Sequence, residues 1–155
     1  MDIVRVQEEP FVLEALISEL TASDASVGAV VSFLGIAREM NHGSSVSNLW
    51  LEHYPGMTEA SIQGMVELAK SRFEVKRVAV VHRYGHFSPT DPIVAVVVTS
   101  AHRGDAFSAC EFLMDYLKVQ APFWKKEETP TGGRWVDARQ SDDLAAEKWG
   151  IPPQS

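Results

Sequence analysis

The stretch that most restricts this fold is Pro92 to Ser100, P-I-V-A-V-V-V-T-S. Ile93 to Val98 is unbroken apolar sequence, mostly β-branched, which suits an extended backbone. A strand apolar on both faces lies centrally in its sheet. It leads through Ser100-Ala101-His102 into a helix expected over Arg103 to Lys118. The apolar positions of that helix run Ala106, Cys110, Leu113 and Leu117.

The remaining elements are read in the same way. Ile3 to Gln7 alternates as a strand, and Phe11 to Leu20 carries Leu13, Leu16, Ile17 and Leu20 at helical spacing. Val27 to Ile36 reads as a buried strand, followed by a polar loop from Arg38 to Ser45. Val46 to Tyr54 alternates again until Pro55-Gly56 stops it. Thr58 to Phe73 is helical, with Ile62, Met65, Val66, Ala69 and Phe73 inward. Val75 to Tyr84 is a strand whose spacing from Pro92 to Ser100 permits a hairpin. Phe123-Trp124 begins a short strand, Arg134 to Ala138 is another, and Ser141-Asp142-Asp143 caps a last helix ending near Trp149. Several connections between strands are too short for crossovers. The expected class is therefore α+β: a single domain over residues 1–150 with a mixed or mostly antiparallel sheet, flanking helices and a small C-terminal β/helix extension. Residues 151–155 are expected to form a frayed tail.

A length of 155 residues suits one domain with a real core. The formal net charge of -7 disfavours general nucleic-acid binding, which needs a basic field. An anionic ligand would have to be held by a local cluster of cations. The amino terminus lacks a basic region followed by an apolar core, and no apolar run approaches the roughly 20 residues of a membrane span. A cytoplasmic protein with no membrane association is expected. Cys110 is the only cysteine, so an internal disulfide or a cysteine-rich metal site is ruled out, and its place on a helical apolar stripe marks a buried thiol. The histidines lack the close pairing of a zinc site, and neither a phosphate-cradling glycine loop nor a serine elbow is present. No metal and no cofactor is expected.

Three groups of cations stand out. Lys118 ends the long helix one turn after Met114, Pro122 stops that helix, and Lys125 follows Phe123-Trp124. These lysines either complement the helix dipole and the solvated surface or line a cationic pocket. His102 and Arg103 sit at a helix start, where free N–H groups attract anions; the alternative is that His102 caps the helix while Arg103 points to solvent. Arg38 leaves the end of a buried strand, suited either to bidentate phosphate recognition or to a surface ion pair. Arg134 and Arg139 fit blunting charges on an edge strand. His82-Arg83, His86 and His53 read as structural.

The segments V-G-A-V-V-S-F-L-G-I-A-R, L-E-H-Y-P-G-M-T-E, V-V-H-R-Y-G, T-S-A-H-R, F-L-M-D-Y-L-K-V-Q-A-P-F-W-K-K-E and G-G-R-W-V-D-A-R occur in this order. Together they resemble the large, catalytic subunit of molybdopterin synthase, over roughly Val27 to Trp149. The resemblance implies an α/β-hammerhead-like fold and a sulfurtransferase acting in molybdenum cofactor biosynthesis. Such an enzyme converts cyclic pyranopterin monophosphate (precursor Z) to molybdopterin by inserting two dithiolene sulfurs. The sulfur comes from the C-terminal Gly-Gly thiocarboxylate of a small ubiquitin-like carrier subunit. A homodimer of this chain within a heterotetramer is likewise implied. Matched by motif, the catalytic lysines fall on Lys118 and Lys125. Substrate contacts fall on Arg38, His102, Arg103 and Arg139, with Phe33 and Met114 lining the pocket, and some of these could reach across the dimer. A different class of reading is a non-catalytic pterin-phosphate-binding or carrier-docking module.

Overall fold

The computed structural model describes the backbone of residues 1–41, 44–45, 48–129, 132–136 and 140–150, and the side chains of 1–39, 48–126 and 144–150. The expected tail, 151–155, lies outside the described residues, as does Arg139.

The apolar stretch is the third strand of a four-stranded sheet. That sheet is built from β1 (Ile3–Gln7), β2 (Ala29–Ile36), β6 (Val78–Arg83) and β8 (Pro92–Ser100), in the order β1-β6-β8-β2. β1 runs parallel to β6, while β6–β8 and β8–β2 are antiparallel. Period-2 alternation sorts the side chains onto two faces. Val78, Val80, Val94, Val96 and Val98 point to one face, where α2 (Met57–Arg72) and α3 (Arg103–Gln120) bury Ile62, Met65, Phe112 and Leu113. Ala79, Val81, Ala95 and Val97 point to the other, covered by Leu16 and Leu20 of α1 (Leu13–Thr21). Each large side chain buried in this way contributes about 1.5–3 kcal/mol. Covering both faces of β8 is what an uninterrupted apolar strand requires.

A second sheet stands at one end of the first. It is antiparallel throughout, in the order β10-β9-β5-β7, from β5 (Asn48–His53), β7 (Gly85–Phe87), β9 (Phe123–Thr129) and β10 (Gly132–Val136). The chain passes between the sheets at Gly85, whose φ of 101° belongs to the left-handed region that favours glycine. Ala37, Leu51 and Phe87 form the buried junction. Between β2 and β5 lies a small hairpin of β3 (Met40–Asn41) and β4 (Ser44–Ser45), within the stretch expected to be a polar loop. The helix α4 (Gln140–Glu147) is followed by Trp149, whose ring packs edge-on against Phe73 and Phe112.

The α+β class therefore holds, with the β residues divided between two main sheets. The expected hairpin is present as the β6–β8 pairing. Within the connection of that hairpin, residues 85–87 form β7 and pair with β5 in the other sheet.

Candidate functional site

Register places the site residues. His82 opposes Val94, and Val94 opposes Gly35, so these three form a row across the first sheet. His82 follows Val78 and Val80 at spacings of two, which turns it toward the helices. Phe33 opposes Val96 and faces the same way. The helix α3 leaves the Ser100 end of β8 and runs back along the sheet. Its last turns, carrying Met114 and Lys118, therefore lie at the end marked by His82 and Gly35. Met114 is half-buried against the core, Lys118 is exposed, and one helical turn separates them.

Pro122 then turns the chain into β9. Thr58 Oγ1 donates to the Pro122 carbonyl (3.3 Å) and accepts from the Tyr54 backbone N–H (3.1 Å), tying the turn to the start of α2. Phe123 and Lys125 are two residues apart on β9 and share a face, as do their partners His53 and Leu51 on β5. Leu51 is buried at the junction with Ala37, so this face looks toward the first sheet. The Phe123 ring stacks on His82 with centroids 3.8 Å apart and a 20° angle, while His53 stacks on Tyr84 at 4.1 Å. His53 and Phe123 stand 6.4 Å apart. Four rings from β5, β9 and the end of β6 thus pack together on the face of β9 that also carries Lys125.

The His82 ring nitrogen Nδ1 lies 2.8 Å from the Arg83 carbonyl, an acceptor, so Nδ1 carries the proton and donates it. Burial, reinforced by the charges of Lys125, Lys118 and His53, pushes its pKa down to about 3 against the ordinary 6.5. The opposing effect of the Arg83 carbonyl is smaller. His82 is therefore a neutral ring at physiological pH, with its Nε2 lone pair unprotonated.

Arg38 belongs to the same end of the molecule. It follows Ala37, whose N–H donates to the Asp91 carbonyl (2.9 Å) and whose carbonyl accepts from Thr90 (2.8 Å), fixing the chain as it leaves β2. Its side chain is exposed. Phe33 is 40% exposed on the helix-facing side of the edge strand.

His102 and Arg103 lie elsewhere. His102 is the N-cap residue of α3 in extended backbone (φ -132°, ψ 151°), its side chain makes no capping bond, and both side chains are exposed. The expected choice between a capping His102 and an anion-facing one thus falls against side-chain capping. From Arg103 to Lys118 is 15 residues of continuous helix, about 22 Å at 1.5 Å per residue. One copy of the chain brings Arg38, Lys118, Lys125, Phe33 and Met114 to one end and leaves His102 and Arg103 at the other.

The sequence reading had left His82, His53 and Phe123 out of the site. The signal was present only as two histidines at strand ends, and nothing local says that Phe123 would stack between their strands. Among the described residues, no three His, Cys, Asp or Glu side chains are grouped to hold a metal ion. No described helix is long and apolar enough to cross a membrane.

A family model described as "MoaE protein" matches residues 6–120. This chain belongs to the MoaE family. It is 53% identical over 151 residues to a molybdopterin synthase catalytic subunit from Ralstonia nicotianae, covering 97% of this chain and 86% of that protein. It superimposes on the molybdopterin biosynthesis MoaE protein of Burkholderia ambifaria with a TM-score of 0.84 at 47% identity, covering 98% of this chain and 100% of the other. Against a molybdopterin synthase structure from Staphylococcus aureus the TM-score is 0.81 at 29% identity, covering 88% and 98%. The MoaE family match includes β8, α3 and both ends of that helix, and stops just short of Phe123 and Lys125.

Proposed function

We infer that this chain is the catalytic subunit of a cytoplasmic molybdopterin synthase. It converts cyclic pyranopterin monophosphate to molybdopterin, taking two dithiolene sulfurs from the C-terminal thiocarboxylate of a small ubiquitin-like carrier. The observation that carries this reading is the meeting of Arg38, Lys118 and Lys125 at one end of a MoaE-family chain with a net charge of -7. Pterin phosphate and thiocarboxylate are both anions, and fixed cations on an otherwise acidic surface give them one place to meet.

Within this site Lys118 transfers protons and stabilises the charge that develops as sulfur leaves the carrier's acyl group. Lys125 orients the carrier carboxylate or the substrate. Arg38, with its planar fork, takes the phosphate, and Phe33 and Met114 line the approach. His102 and Arg103 join as phosphate ligands from a second copy, and Arg139 is a further anion contact. The edge strand β2 supports a two-copy site, because Val30, Phe33, Leu34 and Ile36 are all exposed on it. A two-fold axis across the middle of β2 sets the Ala29 end of one copy against the Ile36 end of the other. That arrangement carries His102 and Arg103 toward the other copy's Arg38 and Lys118.

The test is reconstitution of the purified chain with thiocarboxylated carrier and cyclic pyranopterin monophosphate. Dithiolene product supports the reading. Binding of both without product would make the chain a docking module instead.

A further inference from the structure

We propose that Thr58 is a positioning residue for the lysine pair, its hydroxyl holding the Pro122 carbonyl and so fixing how β9 carries Lys125 away from the helix end that carries Lys118. This deepens, and rests on, the sulfur-transfer reading of the site. Only Ala121 and Pro122 separate α3 from β9, so a small change of backbone angle there swings Lys125 relative to Lys118. Pro122 has no N–H with which to anchor itself, and the Phe123 N–H reaches back across it to the Ala121 carbonyl (2.8 Å). The Pro122 carbonyl is instead held from far back in the chain, by the fully buried hydroxyl of Thr58 (3.3 Å). Thr58 is itself fixed. Its N–H donates to the Tyr54 carbonyl (2.9 Å), and its Oγ1 accepts from the Tyr54 N–H (3.1 Å). The Gly56 N–H donates to Glu59 Oε2 (3.0 Å), at a φ of 81° that a residue with a side chain rarely adopts. From the same turn, the Tyr54 ring packs edge-on against Trp124 with centroids 4.4 Å apart. The stretch Y-P-G-M-T-E therefore grips the chain on both sides of Phe123, immediately before Lys125. Such support is what a catalytic pair on two different elements needs to hold one geometry.

A hydroxyl that served stability alone would make the same bonds, so the test compares substitutions that differ in the hydroxyl. Thr58→Val replaces it with a methyl group at similar volume. Thr58→Ser and Thr58→Ala both give up the methyl group, and only the serine keeps the hydroxyl. We expect Thr58→Val and Thr58→Ala to lower kcat for dithiolene formation roughly 10- to 100-fold, the scale of moving a catalytic group by up to about 1 Å. Substrate KM should change little, because the chain bearing Arg38 is fixed by Thr90 and Asp91, outside this turn. Thr58→Ser should keep a near-native kcat, so lost packing cannot mimic the result. Should the valine not fit its polar surroundings, Thr58→Ala against Thr58→Ser carries the comparison alone. A second measurement needs no turnover and uses the folded chain with ¹³C-labelled lysine. The Lys125 side-chain resonances should move in Thr58→Val and Thr58→Ala and keep their native positions in Thr58→Ser. Native kcat without the hydroxyl, a Thr58→Ser enzyme as slow as Thr58→Ala, or Lys125 resonances indifferent to loss of the hydroxyl overturns the proposal. A native enzyme that makes no dithiolene would instead overturn the functional reading, and the resonances would still decide whether Thr58 positions Lys125.

Discussion

A lysine ammonium and a half-buried imidazole respond to this fold in opposite ways. Lys118 stays exposed at a helix end, where it can reach a ligand, and nothing in its packing makes it a structural residue. Lys118→Ala should therefore leave thermal stability nearly unchanged while lowering the conversion rate about 10²–10³-fold, as the loss of a charge-stabilising group does. Single-turnover assays beside thermal melts would separate the two effects. His82 is the reverse case. Its folded pKa of about 3 lies below the ordinary 6.5, so between those values only the unfolded chain binds the proton. Protons then favour unfolding, and stability should fall as pH drops from about 6.5 toward 3. Denaturant midpoints across that range should slope less steeply in His82→Phe than in the native chain. Cys110 behaves as its helical position suggested: burial raises its pKa to about 11, so thiolate is scarce at neutral pH.

Among the elements, those with a strong period were legible in the sequence. The helices α2 and α3 and the strands β6 and β8 fall within a few residues of their expected spans, because each buries a continuous stripe that the sequence displays. β9 was legible only in its first two residues. It continues to Thr129 through K-K-E-E-T, where pairing with β5 and β10, not apolar pattern, holds the backbone extended. β7 has only three residues and finds its partner in β5, far back in the chain, so no local period could reveal it. The site suffers the same limit, since Lys118 and Lys125 are visible as charges beside a stop signal, whereas the ring stack between β5, β9 and β6 exists only after folding. Gly28 offers a test at this scale. Its N–H donates to the Ser100 carbonyl (3.0 Å), and a Cβ there would lie 2.3 Å from the Ala101 carbonyl oxygen. Gly28→Ala should push β2 away from the turn that presents His102, costing roughly 1–3 kcal/mol of stability. Calorimetry should show that loss. An unchanged melting temperature would mean that the turn yields freely.

For the whole molecule, the decisive fact is that α3 is too long for its two ends to serve one small ligand. If, as proposed, Arg103 and Lys118 serve one anion site, their separation of about 22 Å along α3 means that this site would be completed only by pairing of two copies. Two-fold pairing along β2 would complete two such sites at once and cover the apolar edge that a single copy leaves exposed. The most direct measurement mixes two inactive variants, Lys118→Ala and Arg103→Ala, lets their subunits exchange, and assays dithiolene formation with thiocarboxylated carrier. If each site draws Lys118 from one copy and Arg103 from the other, mixed dimers regain one intact site, and activity should return to about a quarter of the native level. Were both residues to act within a single copy, no mixture could contain an intact site, and a mixed sample as inactive as its components would contradict the account.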